Sequence, residues 1–172
     1  SKSSDSNWST PTGLYFRDSA MDTDGKLVAL FSGQGSQYLN MGTELACHFP
    51  EYLDTVAGMD QAFLQDSLPR LSDTLYPIPV FNKQDSKANE AKLQQTQFAQ
   101  PAIGSFSMGS YKILNRAGFE PNFIAGHSFG ELTALWAAGV YQDEDYYQLA
   151  KARGQAMAAP EDASFDAGSM MA

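Results

Sequence analysis

The chain has 172 residues, 43% of them apolar, enough for one globular domain with a sizeable core. It carries 20 acidic and 11 basic residues, a net charge of −9, and the basic residues form no run. That balance argues against nucleic acid and against an anionic membrane surface as partners.

One cysteine, Cys47, excludes an intrachain disulfide and fits a reducing, cytoplasmic setting. It reads as a small buried hydrophobe on the apolar face of a short helix. No apolar run approaches the ~20 residues of a membrane span. Two separated histidines and one cysteine do not make a usual zinc site, so no metal is expected.

Residues 1–12, SKSSDSNWSTPT, are polar and read as flexible, within a linker over 1–25 that precedes the domain. KLVALFSG (Lys26–Gly33) is an apolar run ended by glycine, the pattern of a buried parallel strand. GQGSQ (Gly33–Gln37) follows as a tight turn, and Met41–Phe49 as a short helix. Pro50 suits the first turn of a second helix, whose apolar stripe of Leu53, Val56, Met59 and Phe63 is interrupted by Asp60. Ser67–Glu90 holds Pro69, Pro77 and Pro79 among polar residues and reads as irregular.

A long helix is expected from Pro101 to Arg116, with Ile103, Phe106, Tyr111 and Leu114 inward and the glycine of RAG as its stop. NFIAGHS reads as a second buried strand, and GELTALWAAG as a helix stopped at Gly139. DEDYYQLAKARGQAM is a further helix, with Asp143, Glu144 and Asp145 at its positive end. PEDASFDAG is a loop, and SMMA starts a strand. Strands alternating with helices predict an α/β layer fold with a parallel sheet. A start at Ser1 rather than Met, and an end in mid-strand, lead us to expect a longer parent chain.

FIAGHSFGELTAL (Phe123–Leu135) sets Gly126, Ser128 and Gly130 at alternate positions between a strand and a helix, the spacing of a nucleophile elbow. Ser128 is the candidate nucleophile, and the Phe129 backbone N–H a candidate oxyanion donor. A plain helix-capping serine is the alternative. A nucleophilic serine needs a base. His127 adjoins Ser128, so its side chain is expected to point away, and His48 reads as a helix-end residue facing the negative dipole. Neither suits the role.

LFSGQGSQYLNMG, QFAQPAI, AGHSFGE and KARGQAM stand in the order and spacing of the malonyl-CoA:acyl-carrier-protein acyltransferases, and the chain from Lys26 to Ala172 resembles that family. Within it, GQGSQYLNMGTELACHFPE looks most like the acyltransferase domain of polyunsaturated fatty acid synthases, beside those of polyketide synthases. The resemblance implies an α/β-hydrolase-like parallel sheet with flanking helices. That large subdomain, incomplete here, spans 26–166, and 167–172 begins a ferredoxin-like small subdomain.

The resemblance also implies roles. Ser128 takes the acyl group from a CoA thioester as an ester. The backbone N–H groups of Gln34 and Phe129 bind the oxyanion, Arg153 pairs with the malonyl carboxylate, and Gln100 lines the same pocket. The acceptor is the phosphopantetheine thiol of an acyl carrier protein, amid neighbouring synthase domains, with no bound cofactor. The family's catalytic histidine falls beyond this sequence. Phe129 stands where some members that take branched extender units carry Gln, which leans toward malonyl. Two other readings stay open: a serine hydrolase or thioesterase on the same elbow, and an inactive fragment or docking scaffold without the histidine.

Overall fold

The computed structural model describes residues 7–19 and 25–158. The loop expected from Pro160 and the strand expected at 167–172 lie outside the described residues. Strands β1 (Asn7–Ser9) and β2 (Tyr15–Arg17) pair antiparallel, with Trp8 stacked on Phe16 at 5.6 Å. Residues 7–9, read from their polarity as flexible, are therefore strand. Their order comes from a local turn in which the Leu14 carbonyl accepts the Thr10 N–H at 2.8 Å.

Strand β3 (Val28–Phe31) runs into a turn, and five helices follow before its partner: α1 (Thr43–His48), α2 (Pro50–Gln65), α3 (Ser72–Leu75), α4 (Lys83–Gln94) and α5 (Thr96–Arg116). Strand β4 (Phe123–Gly126) then pairs with β3 in parallel, Val28 opposite Phe123 and Phe31 opposite Gly126. Helices α6 (Phe129–Ala137) and α7 (Asp143–Ala156) complete the described chain. The parallel pairing agrees with the sequence; the burial does not. Ala29 and Phe31 are buried, but Leu30 is 77% and Phe123 57% exposed. The described helices cover the Phe31 side, where the Tyr111 ring of α5 lies 5.6 Å away, and leave Leu30 uncovered.

Other expectations change in the same way. Cys47 is exposed rather than buried, because no residue of α1 enters the core. On α2, Pro50 opens the helix as expected, but Tyr52 rather than Leu53 faces inward. Asp60 accepts the Ser72 backbone N–H (2.8 Å) and hydroxyl (2.5 Å), which explains a carboxylate on the apolar stripe. The Ser67–Glu90 segment contains α3 and most of α4. Helix α4 buries only Leu93, so it shows no apolar period; its start is fixed by Asn82, whose side chain accepts the Asp85 N–H.

Helix α5 begins five residues before Pro101 and carries that proline inside it. Ile103 is buried, Phe106 and Tyr111 are half-buried, and Leu114 is exposed. The core lies among α2, α5, α6 and α7. Lys151, only 3% exposed, donates to the Ala62 carbonyl (2.6 Å) and pairs with Asp66 (2.5 Å). Asp143 accepts from both Lys112 (2.5 Å) and the Trp136 indole (2.9 Å), joining α5, α6 and α7. No helix of the described residues is long and apolar enough to cross a membrane.

Candidate active site

Strand β4 ends at Gly126 and α6 starts at Phe129, so two residues make the reversal. Ser128 takes φ 55° and ψ −112°, a conformation that a residue with a Cβ adopts only under constraint. The constraint is close packing of backbone. A Cβ on Gly126 would lie 2.0 Å from the Gly130 carbonyl oxygen, and one on Gly130 would lie 2.2 Å from that of Phe31. Glycine at both positions lets the end of β4, the first turn of α6 and the end of β3 touch. His127 N–H donates to the Phe31 carbonyl (3.0 Å), and Gly130 N–H to that of His127 (2.9 Å).

Ser128 is exposed at the positive end of α6, and its hydroxyl makes no capping bond. A serine kept only to cap the helix would accept an N–H of the first turn on that oxygen. Neither imidazole hydrogen-bonds to Ser128 among the described residues. The Nδ1 of His48 instead meets the Glu44 carbonyl at 2.7 Å, at the end of α1.

The turn after β3 packs on this elbow. A Cβ at Gly33 would lie 2.5 Å from the His127 carbonyl oxygen and 3.2 Å from the Ser128 Cβ. Within the turn, the Ser36 hydroxyl donates to the Gly33 carbonyl (3.0 Å), and the Gly35 N–H to the Gln37 side chain (2.8 Å). The N–H groups of Gln34 and Phe129 have no acceptor among the described residues.

Arg153, half-buried on α7, completes the group. Its Nη1 donates to Gln100 Oε1 at 2.6 Å, and its guanidinium carbon stands 5.8 Å from the centre of the Phe129 ring. It forms no ion pair with an acid among the described residues. Gln100 is 1% exposed, and its Nε2 donates to Thr96 Oγ1 (2.8 Å) and toward Gln34 Oε1 (3.2 Å). The Phe129 ring is wholly buried beside Tyr146, whose phenol burial pushes well above its ordinary range. That hydroxyl is bonded to Thr133 at 2.7 Å.

Ser128, Gln34, Phe129, Gln100 and Arg153 thus converge. Gln100 does so from beneath: it supports the arginine rather than lining an open wall. Thr96 was not anticipated. Its one sequence signal is its place four residues before Gln100, which puts both on one helix face. Among the described residues no group of three His, Cys, Asp or Glu could hold a metal ion.

Residues 28–169 match the model of the acyl transferase domain family. One component of the polyunsaturated fatty acid synthase of Thraustochytrium sp. is 34% identical over 156 residues, 87% of this chain and 6% of that protein. The acyl transferase domain of ZmaA superposes with a TM-score of 0.70 at 30% identity, over 84% of this chain and 32% of that one. A malonyl-transacylase solved with its type II polyketide synthase acyl-carrier protein, PlMCAT with AntF, gives a TM-score of 0.63 at 30% identity, over 77% and 39%. This chain therefore spans a small part of the curated relative and about a third of the solved structures. The elbow, the turn after β3 and the arginine on α7 all lie inside the matched span, and the chain belongs to the acyl transferase domain family.

Proposed function

We propose that this chain supplies the nucleophile, the oxyanion donors and the acid-binding arm of an acyltransferase that moves malonyl from CoA to a carrier-protein thiol. The supporting observation is Arg153: half-buried, unpaired with any acid among the described residues, and held by Gln100 against the ring of Phe129, the residue that follows Ser128. An arginine fork with free N–H groups binds a carboxylate through two parallel hydrogen bonds.

Ser128 Oγ loses its proton to a base and attacks the thioester carbonyl. Charge gathers on the carbonyl oxygen, where the Gln34 and Phe129 N–H groups and the start of α6 stabilise it. The tetrahedral adduct collapses with cleavage of the C–S bond, and the CoA sulfur leaves with the proton. In the second half-reaction the phosphopantetheine thiol of an acyl carrier protein attacks the Ser128 ester and releases the serine. CoA enters as substrate, and no cofactor is needed. The base is a histidine supplied from outside these residues. In this reading 26–166 is the α/β-hydrolase-like large subdomain, 1–25 a linker, and 167–172 the start of the small one, within a cytoplasmic multidomain synthase.

Intact mass after malonyl-CoA is mixed with a protein that carries these residues together with that histidine tests this. We expect one malonyl adduct, absent from Ser128→Ala. Arg153→Ala should lower kcat/KM for malonyl by about 2–4 kcal/mol and that for acetyl by clearly less. Equal losses for both acyl groups would remove the carboxylate role. Release of free malonate in place of the carrier-bound product would favour a hydrolase.

A further inference from the structure

We propose that Thr96 is a positioning residue for the oxyanion-binding turn: its hydroxyl ties the Gln34 side chain to the start of α5 and so holds the Gln34 N–H over Ser128. The inference rests on the acyl-transfer reading above and adds to it a residue that does not touch the substrate.

Thr96 is the first residue of α5, and the residue that caps this helix, Gln95, makes no side-chain cap bond. A threonine here ordinarily serves its own helix end. This one does not. A hydroxyl has one proton to give, and Thr96 gives it across 62 residues of sequence to Gln34 Oε1 at 2.9 Å. Its lone pair accepts Gln100 Nε2 at 2.8 Å. The other contact to Gln34 Oε1, from Gln100 Nε2, is longer at 3.2 Å. Removing the hydroxyl therefore leaves Gln34 with one weak tether and Gln100 with one fewer acceptor.

Gln34 needs such a tether because it sits between Gly33 and Gly35, and Gly35 has φ +111°. Flanking glycines let the peptide plane on either side rotate at little cost. The neighbouring Gly35 N–H is already taken by Gln37 Oε1. Gln37 in turn donates to Gln94 at 2.5 Å. The turn thus hangs from two points, Gln94 and Thr96, on either side of the break between α4 and α5. That break is itself fixed. A Cβ on Gly154 would lie 2.9 Å from the Thr96 carbonyl oxygen and 3.2 Å from the Gln97 Cα, so α7 presses directly on the start of α5. Thr96 joins this rigid junction to the flexible turn.

The test uses Thr96→Val, which keeps the shape and removes the hydroxyl, in the intact protein. The acylation kcat should fall about tenfold for malonyl-CoA and acetyl-CoA alike, since both need the oxyanion site. KM for malonyl-CoA should stay unchanged, and Thr96→Ser should restore the rate. Gln34→Ala, which keeps the N–H and cuts the same tether from its other end, should reproduce the loss. The double variant should be no slower than either single one. Gln34→Ala carries the test if Thr96→Val does not fold. An unchanged kcat, a loss confined to malonyl, a change in KM alone, or additive losses in the double variant each overturn the proposal. Absence of any adduct on an unaltered protein that includes the catalytic histidine would instead refute the acyl-transfer reading.

Discussion

The two halves of the candidate oxyanion site are held in different ways. The elbow is held by what is missing: at Gly126 and Gly130 there is no Cβ, and backbone meets backbone with no room for one. The turn after β3 is held by what is present: Gln37 bonds Gln94, and Gln34 bonds Thr96 and Gln100. A steric device gives nothing until it fails outright. A polar device can be weakened one hydrogen bond at a time.

The largest effect should come from Gly126→Ala. Its methyl group meets the Gly130 carbonyl carbon and oxygen, parts of a backbone that cannot yield, so unfolding free energy should drop by more than about 4 kcal/mol. Urea unfolding followed by near-ultraviolet circular dichroism measures it, and a loss under about 1 kcal/mol would end the steric account. Gln37→Leu should cost about 1–2 kcal/mol, because the buried amide loses Gly35 and Gln94 together while the fold survives. A loss as large as that of Gly126→Ala would erase the contrast between the two halves.

Ser128→Gly should act the other way. It removes backbone strain of about 1–3 kcal/mol against an entropic cost of about 0.5–1 kcal/mol. The urea midpoint should therefore rise, equivalent to about 1 kcal/mol, while the acyl adduct disappears. A lower midpoint would mean that the φ of 55° carries no strain.

How much of this was legible follows from the same division. The elbow could be read because steric demands restrict residue type: only glycine fits at 126 and 130, and the apolar run before it and helix pattern after it supply the context. Arg153, Gln100 and Gln34 were found through motif resemblance rather than periodicity. Thr96 escaped, since a hydroxyl bonded across 62 residues leaves no local pattern. Helix α4 escaped because its polar surface buries only Leu93. Pro101 misled because proline favours the first helical turn, whereas packing of Ala99 and Gln100 extends α5 before it. The strand burial was overstated at Leu30, where an apolar residue lies outside the described packing. Leu53 gave way to its neighbour Tyr52, an offset that a stripe read from spacing alone does not resolve, and Leu114 shares the face of Phe106 and Tyr111 but lies where the described elements leave that face open.

One property of the turn reaches further. Its tethers are amides and a hydroxyl: Gln34, Gln37, Gln94, Thr96 and Gln100 have no proton to gain or lose across the working range of an enzyme. The tethers of the oxyanion turn are therefore indifferent to acidity. A pH–rate profile of the acylation step would carry no contribution from loss of these tethers.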